Sequence, residues 1–226
     1  MKKIGVLTIG QAPRTDIEEV LFAHLTREMV IQRGALDGWT KQEIEEKFSP
    51  APEEELVLTT KLNTGESVIL AEEKIVPLLQ EKVIALEKDG CSTILLLCTG
   101  EFPTLRSRRA LLLQPDRVLA RVIDAILPSG KLGVLCPLPE QQQMIREKWS
   151  SYKGDLLLES VSPYTGRPEE FEQAAARFRE NGADIIVLDC MGYQPSQRKI
   201  VQTGSGAPVL LSVSLLARIA GEVIAD

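Results

Sequence analysis

Two stretches of this chain repeat one another at a fixed offset of 92 residues. Residues 89–100, DGCSTILLLCTG, lie over residues 181–192, NGADIIVLDCMG, so that Gly90 matches Gly182, Cys98 matches Cys190 and Gly100 matches Gly192. Such a repeat constrains the fold more tightly than any local propensity, because each copy has to close into the same supersecondary unit. In each copy a glycine stands where it can end a helix and a strand-length apolar run follows. A cysteine then sits where that run gives way to a glycine-containing turn. The likeness extends both ways. Upstream, Ile4-Gly5-Val6-Leu7-Thr8 resembles Leu132-Gly133-Val134-Leu135-Cys136. Downstream, each copy runs through a further strand into a helix carrying Leu-Ala-Arg, at 119–121 and at 216–218.

Around the repeat, short β-rich runs alternate with amphipathic stretches, the pattern of βαβ units and mainly parallel sheets. Candidate strands are 4–9, 29–33, 55–61, 66–70, 93–97, 109–113, 131–136, 155–160, 184–189 and 208–211. Candidate helices are 16–28, 40–48, 72–88, 116–127, 140–150, 168–180 and 213–224. Asn63-Thr64-Gly65-Glu66, between two apolar runs, reads as a hairpin turn. Thr8 and Cys98 are 90 residues apart but Cys136 and Cys190 only 54, so the first half holds about 36 additional residues, and the 39–70 region is the insertion. The expected architecture is α/β, with two lobes related by a pseudo-twofold axis and a cleft between them. One lobe is residues 1–114 plus 212–226 and the other is 115–211.

Composition narrows the partners. With 226 residues and 44% apolar content the chain can bury a full core. A net charge of −6 argues against nucleic acid, whose binders display a basic face. Gln11, Pro13, Arg14 and Asp16 interrupt the apolar start too soon for a signal peptide, and no apolar run approaches the roughly 18 residues of a membrane span. A cytoplasmic location, without a membrane partner, is the expectation. Cys91, Cys98, Cys136 and Cys190 are widely spaced and are expected as reduced thiols. One histidine, His24, and no C-x-x-C pair leave little to hold a metal. His24 is expected on a helix face. Neither a G-x-G-x-x-G nor a Walker-type motif is present, and no cofactor is called for.

In open parallel sheets ligands bind beyond the carboxyl ends of strands, and Cys98 and Cys190 are both expected there. Facing each other across a pseudo-twofold, they would suit two-base proton transfer at carbon. One thiolate removes a proton from one face while the other thiol returns a proton to the opposite face. Thr99-Gly100 and Met191-Gly192 can form turns whose N–H groups lower a thiol pKa. A lone cysteine would read as a small buried hydrophobe; the matched pair tips the balance to function. Cys136, followed by proline and matched to Thr8, is expected to pack or line the cleft, and Cys91 to be structural.

Arg14, in the loop after the first strand, is the candidate carboxylate clamp, with Thr8, Gln11 and Thr15 as neutral donors. The competing reading is an exposed Arg14 paired with Asp16 or Glu18. Tyr164, in the loop after strand 155–160, either covers the cleft or fills a turn. Ser212 and Ser214 read as helix caps, and Arg106, Arg108 and Arg109 as a solvated face.

The paired Cys-x-Gly turns, the pseudo-twofold and Thr8-Ile9-Gly10-Gln11-Ala12-Pro13-Arg14 resemble the AroM protein family. The resemblance covers essentially the whole chain, including Val187-Leu188-Asp189-Cys190-Met191-Gly192-Tyr193 and Ala207-Pro208-Val209-Leu210-Leu211-Ser212. That family is similar in architecture to the aspartate, glutamate and hydantoin racemase superfamily, whose two lobes each present a cysteine. The resemblance implies a racemase-like fold without cofactor or metal and with catalytic Cys98 and Cys190. Thr8, Gln11, Arg14, Thr99, Gly100, Met191, Gly192 and Tyr164 would bind the substrate. Gln11-Ala12-Pro13-Arg14 departs from the acidic or asparagine turn common after the superfamily's first strand.

The leading expectation is a cofactor-independent isomerase, racemase or lyase acting on a small carboxylate or cyclic amide. The alternatives are a non-catalytic protein that senses such a small anionic or cyclic-amide metabolite, and a dithiol redox sensor. The sensor requires the Cα atoms of Cys98 and Cys190 within about 7 Å. A homo-oligomer is compatible with the sequence.

Overall fold

The computed structural model describes residues 2–51 and 56–225. The chain divides into two compact units, Met1–Pro115 with Leu216–Asp226, and Asp116–Leu215. Along the first run β1 (Lys3–Thr8), β2 (Val30–Gly34), β3 (Val57–Lys61), β4 (Ser67–Ala71), β5 (Cys91–Leu97) and β6 (Leu111–Leu113). Four of them form a parallel sheet in the order β2-β1-β5-β6, and β3 pairs with β4 alone, antiparallel. The second unit holds β7 (Lys131–Cys136), β8 (Asp155–Ser160), β9 (Ile185–Leu188) and β10 (Val209–Leu211), parallel and ordered β8-β7-β9-β10. Strand for strand, β1 corresponds to β7, β2 to β8, β5 to β9 and β6 to β10, so the internal repeat extends to the connectivity of both sheets.

The helices are α1 (Glu18–Phe22), α2 (Lys41–Phe48), α3 (Glu72–Lys88), α4 (Pro115–Ile126), α5 (Gln142–Lys148), α6 (Pro168–Glu180), α7 (Pro195–Ser205) and α8 (Ser212–Ile224). The inner strands β1, β5, β7 and β9 are buried along nearly their whole length, as two-sided apolar runs in a parallel sheet must be. The repeat's glycines have two distinct duties. Gly90 and Gly182 adopt φ of 87° and 72° and end α3 and α6, a conformation in which a side chain would be strained. Gly5 and Gly133 instead let a helix ride close on a strand. A Cβ on Gly5 would lie 2.9 Å from Leu86, and one on Gly133 would lie 3.0 Å from Phe178. Leu86 and Phe178 are themselves 92 residues apart, so the close approach is part of the repeat.

The inserted region carries α2 and the expected hairpin. Its turn closes through Leu62 N–H to the Glu66 carbonyl at 2.8 Å, with Gly65 at φ 89°. Residue 55 of the expected strand 55–61 lies outside the described residues.

One helix expectation needs correction, and one helix was not expected. The stretch 16–28 is not one helix: α1 is a short element between 3-10 turns at Thr15–Ile17 and Arg27–Met29, and His24 sits in the turn after α1. Tertiary packing competes there, because a Cβ on Gly221 of α8 would lie 2.6 Å from the His24 carbonyl oxygen. Conversely, α7 has no counterpart among the sequence expectations. Its composition is polar, with Gly204 inside, and its cap is Gln194, whose side chain pairs with Gln197 in place of the usual Ser, Thr, Asp or Asn. Pro195 at its first turn and Gly206 in the left-handed region after its end were the legible signals. Among the described residues no helix is long and apolar enough to cross a membrane, and no cluster of His, Cys, Asp and Glu is placed to hold a metal ion.

The segment after β5 is held by one carboxylate. Glu87 Oε1 accepts hydrogen bonds from Ser107 Oγ (2.6 Å) and from the N–H groups of Arg108 (2.7 Å), Arg109 (2.7 Å) and Ala110 (3.2 Å). The Ser107 hydroxyl first, then these amides, hold the Glu87 carboxyl down at about 2. A depressed folded-state pKa gives stability that is fully present above the ordinary glutamate value of about 4.3 and fades as pH falls toward 2. Hydrogen exchange at Arg108, Arg109 and Ala110 should therefore accelerate as pH is lowered through that window, after correction for intrinsic rates. Glu87→Gln should show fast exchange at every pH. Unchanged protection in the variant would show that the carboxylate does not hold the loop.

Candidate active site

In each sheet the chain moves outward from the first strand on one side and then on the other, which leaves a crevice at the carboxyl ends of the two inner strands. In the first unit those strands are β1 and β5, with Thr8 opposite Leu97, so Thr8 and Cys98 flank the crevice. In the second they are β7 and β9, with Leu135 opposite Leu188, which brings Cys136 beside the Asp189-Cys190 step. Both catalytic candidates therefore stand at the switch point of their own unit.

The turns after these strands share one geometry. The Gly100 N–H donates to Cys98 Sγ at 3.4 Å, and the Gly192 N–H donates to Cys190 Sγ at 3.4 Å. A third copy follows β1, where the Gly10 N–H donates to Thr8 Oγ1 at 3.2 Å. An N–H aimed at sulfur stabilises a thiolate more than a thiol. Cys190 is half-buried and Cys98 is buried. Their surroundings differ too. A Cβ on Gly100 would meet Leu58 of the hairpin at 3.0 Å, whereas one on Gly192 would meet the Tyr164 hydroxyl at 2.5 Å.

The other candidates divide. Thr8, Thr99, Gly100, Met191 and Gly192 are buried at the strand ends of their own units. Arg14 is buried, not exposed. Its Nε and Nη2 each donate at 2.8 Å to the two oxygens of Asp16, while Nη1 lies 3.5 Å from Thr8 Oγ1. Two nitrogens of the fork expected to grip a ligand carboxylate are thus engaged by Asp16. Burial pushes the Asp16 carboxyl up, but the Arg14 hydrogen bond and charge, helped by Lys61, hold it below its ordinary value. Glu18 pairs instead with Arg27.

Gln11 is likewise a fastener. Its amide donates to the carbonyls of Leu36 and Trp39 and accepts from the Asn63 N–H, tying the loop after β1 to the hairpin. Ser212 donates to the Leu188 carbonyl at 2.6 Å, which fastens α8 to the end of β9. Cys136 is fully buried against Ser160, and burial pushes its thiol up to about 11, which suits packing. Cys91 begins β5, at the end opposite Cys98.

Sequence reasoning missed a buried ion pair beside Cys190. Lys148, the last residue of α5, donates through Nζ to both oxygens of Asp189 at 2.8 Å, and Trp149 Nε1 donates to Asp189 Oδ2 at 3.1 Å. Both charged side chains are almost wholly buried. The legible signal was a charged residue ending an otherwise apolar buried run, where its first-copy counterpart is Leu97.

Tyr164 is held over the Cys190 turn from several directions. Ser162 Oγ accepts from the Tyr164 and Thr165 N–H groups at 3.2 Å each. The segment that follows Cys190 clamps the same loop: Tyr193 Oη donates to the Val161 carbonyl at 2.7 Å and Gln197 Nε2 to the Pro163 carbonyl at 2.9 Å.

This fold is shared with solved racemases, an isomerase and a decarboxylase. The glutamate racemase isoform RacE1 from Bacillus anthracis matches with a TM-score of 0.65 at 15% identity, covering 99% of this chain and 81% of that one. An unliganded arylmalonate decarboxylase matches at 0.63 and 12%, covering 100% and 93%. The maleate isomerase Iso from Pseudomonas putida S16 matches at 0.61 and 13%, covering 97% and 91%. Among curated proteins no match is found. The family model described as AroM protein matches residues 4–224, and the chain belongs to that family.

The contact between Gly192 and Tyr164 yields a direct test. Gly192→Ala should destabilise the protein by about 1–3 kcal/mol, because the clamped ring cannot retreat from the new methyl. In a Tyr164→Ala background the same substitution should cost little, and urea unfolding of the four proteins measures the difference. An equal loss in both backgrounds would show that the contact is not the cause.

Proposed function

We propose that the protein is a cofactor-independent racemase or isomerase, or a related lyase, that moves a proton at a carbon next to a carboxylate or cyclic amide. Cys98 and Cys190 are its acid and base. The observation that carries this reading is the identical N–H to Sγ hydrogen bond, at 3.4 Å, in the Cys98 and Cys190 turns. Packing alone needs no donor aimed at sulfur, and it needs no repetition of that donor in two units. The fold neighbours support the reaction class, since their names are those of enzymes that racemise, decarboxylate or isomerise a carboxylate.

In the proposed reaction a thiolate at one cysteine takes the proton from carbon, and the electron pair left behind is delocalised onto the adjacent carbonyl oxygen. The thiol of the other cysteine returns a proton to carbon and becomes the thiolate, so the next turnover runs in the opposite sense. Thr8, Thr99 and Met191 contribute hydroxyl and main-chain donors to the substrate, Gly100 and Gly192 leave room for it while their N–H groups face the sulfurs, and Tyr164 adds a phenol. Arg14 acts through Thr8, with its fork on Asp16.

Deuterium incorporation from D₂O into a panel of amino acids, hydroxy acids, dicarboxylates and hydantoins tests the reading. With the substrate found, Cys190→Ser should lower turnover by about 10²–10⁴-fold while leaving the melting temperature within a few degrees. Full activity in Cys190→Ser would overturn the catalytic role and leave a metabolite-binding protein as the better reading.

A further inference from the structure

We infer that the Lys148–Asp189 ion pair is a positioning device for Cys190, fixing the end of β9 and cancelling the charge of the carboxylate next to the working thiol. Asp189 is joined to Cys190 by a single peptide bond, and its own N–H is bound to the Leu135 carbonyl at 2.9 Å, so its side chain leaves the strand at a fixed point. The carboxylate receives three hydrogen bonds from two consecutive residues at the end of α5, and its side chain has no exposed surface. A buried ion pair is a weak source of stability, because desolvating both charges offsets their attraction, so its place beside a half-buried thiol asks for another reason.

The local electrostatics supply one. A bare carboxylate beside Cys190 would oppose thiolate formation, and a bare ammonium would favour it. With both present the two effects oppose one another, and the Gly192 N–H adds to the side of the thiolate. Cys190, Cys136, Asp189 and Tyr164 all bear on the Tyr193 hydroxyl. Burial first, then these groups, keeps the Tyr193 phenol protonated. Burial keeps the Cys136 thiol protonated as well. Asp116, at the start of α4, is within electrostatic reach of Lys148, and burial raises its carboxyl above the ordinary value.

The pair has no strict equivalent in the first unit, where Leu97 precedes Cys98, so it distinguishes the two thiols. The inference draws its significance from the reading of Cys190 as a working group, but its test needs no substrate.

The readout is the rate of iodoacetamide alkylation against pH, followed by mass spectrometry of the peptide that carries Cys190. In Asp189→Asn the Lys148 charge is left uncompensated, and the alkylation midpoint should fall by about one pH unit. In Lys148→Met the carboxylate is left bare, and the midpoint should rise by about as much. A double variant, Lys148→Met with Asp189→Leu, removes both charges and should lie near the wild type. If Lys148→Met does not fold, Asp189→Asn and the double variant decide.

Midpoints that move together, or that stay in place in natively folded variants, would overturn the inference, since a merely structural pair has no reason to shift them in opposite senses. Absence of isotope exchange with any substrate would count against the proposed function and leave the alkylation result standing.

Discussion

A backbone N–H placed two residues after a strand end, and turned back onto that end's side chain, is the interaction on which the site depends. It requires a glycine at the third position. A Cβ on Gly10 would lie 2.4 Å from Thr60 Oγ1, one on Gly100 would press on Leu58, and one on Gly192 would strike Tyr164. The parallel sheets supply the other half of the constraint. Because β1, β5, β7 and β9 are buried on both faces, their carboxyl ends are where the inner strands can present polar atoms to a small ligand. The chemistry proposed for Cys98 and Cys190 follows from where the strands stop and from what the next two residues permit.

The two units then depart from one another around that common plan. The first covers its strand ends with the inserted hairpin: Thr60 lies against Gly10, Leu58 against Gly100, and Asn63 is bonded to the loop after β1. The second has Tyr164 in the corresponding role and continues from Cys190 into α7, whose Gln197 helps to hold the Tyr164 loop. The turn after Cys98 thus packs against an apolar side chain and the turn after Cys190 against a phenol.

Charge is handled with the same economy in both units. Arg14 and Asp16 satisfy each other beside Thr8, and Lys148 and Asp189 satisfy each other beside Cys190. In neither place does a buried full charge stand unopposed, which would be strongly destabilising. An uncompensated charge in either place would also bias the protonation of polar groups beside it.

The sequence by itself determined the repeat, and with it the number of units, the parallel strands, the glycine ends of α3 and α6, the hairpin, and the placement of Cys98 and Cys190 at matched strand ends. These features are legible because each is a local pattern: an apolar run of a given length, a glycine needing a left-handed backbone, a turn of defined composition. What only the tertiary structure decided was which polar side chain meets which. Arg14 met Asp16, and Gln11 became a fastener between the loop and the hairpin. Lys148 came to Asp189 from 41 positions away, α1 stopped short beside Gly221, and α7 formed from a polar stretch. Each of these outcomes depends on distance in space between residues remote in sequence, and no periodicity or propensity along the chain encodes that distance.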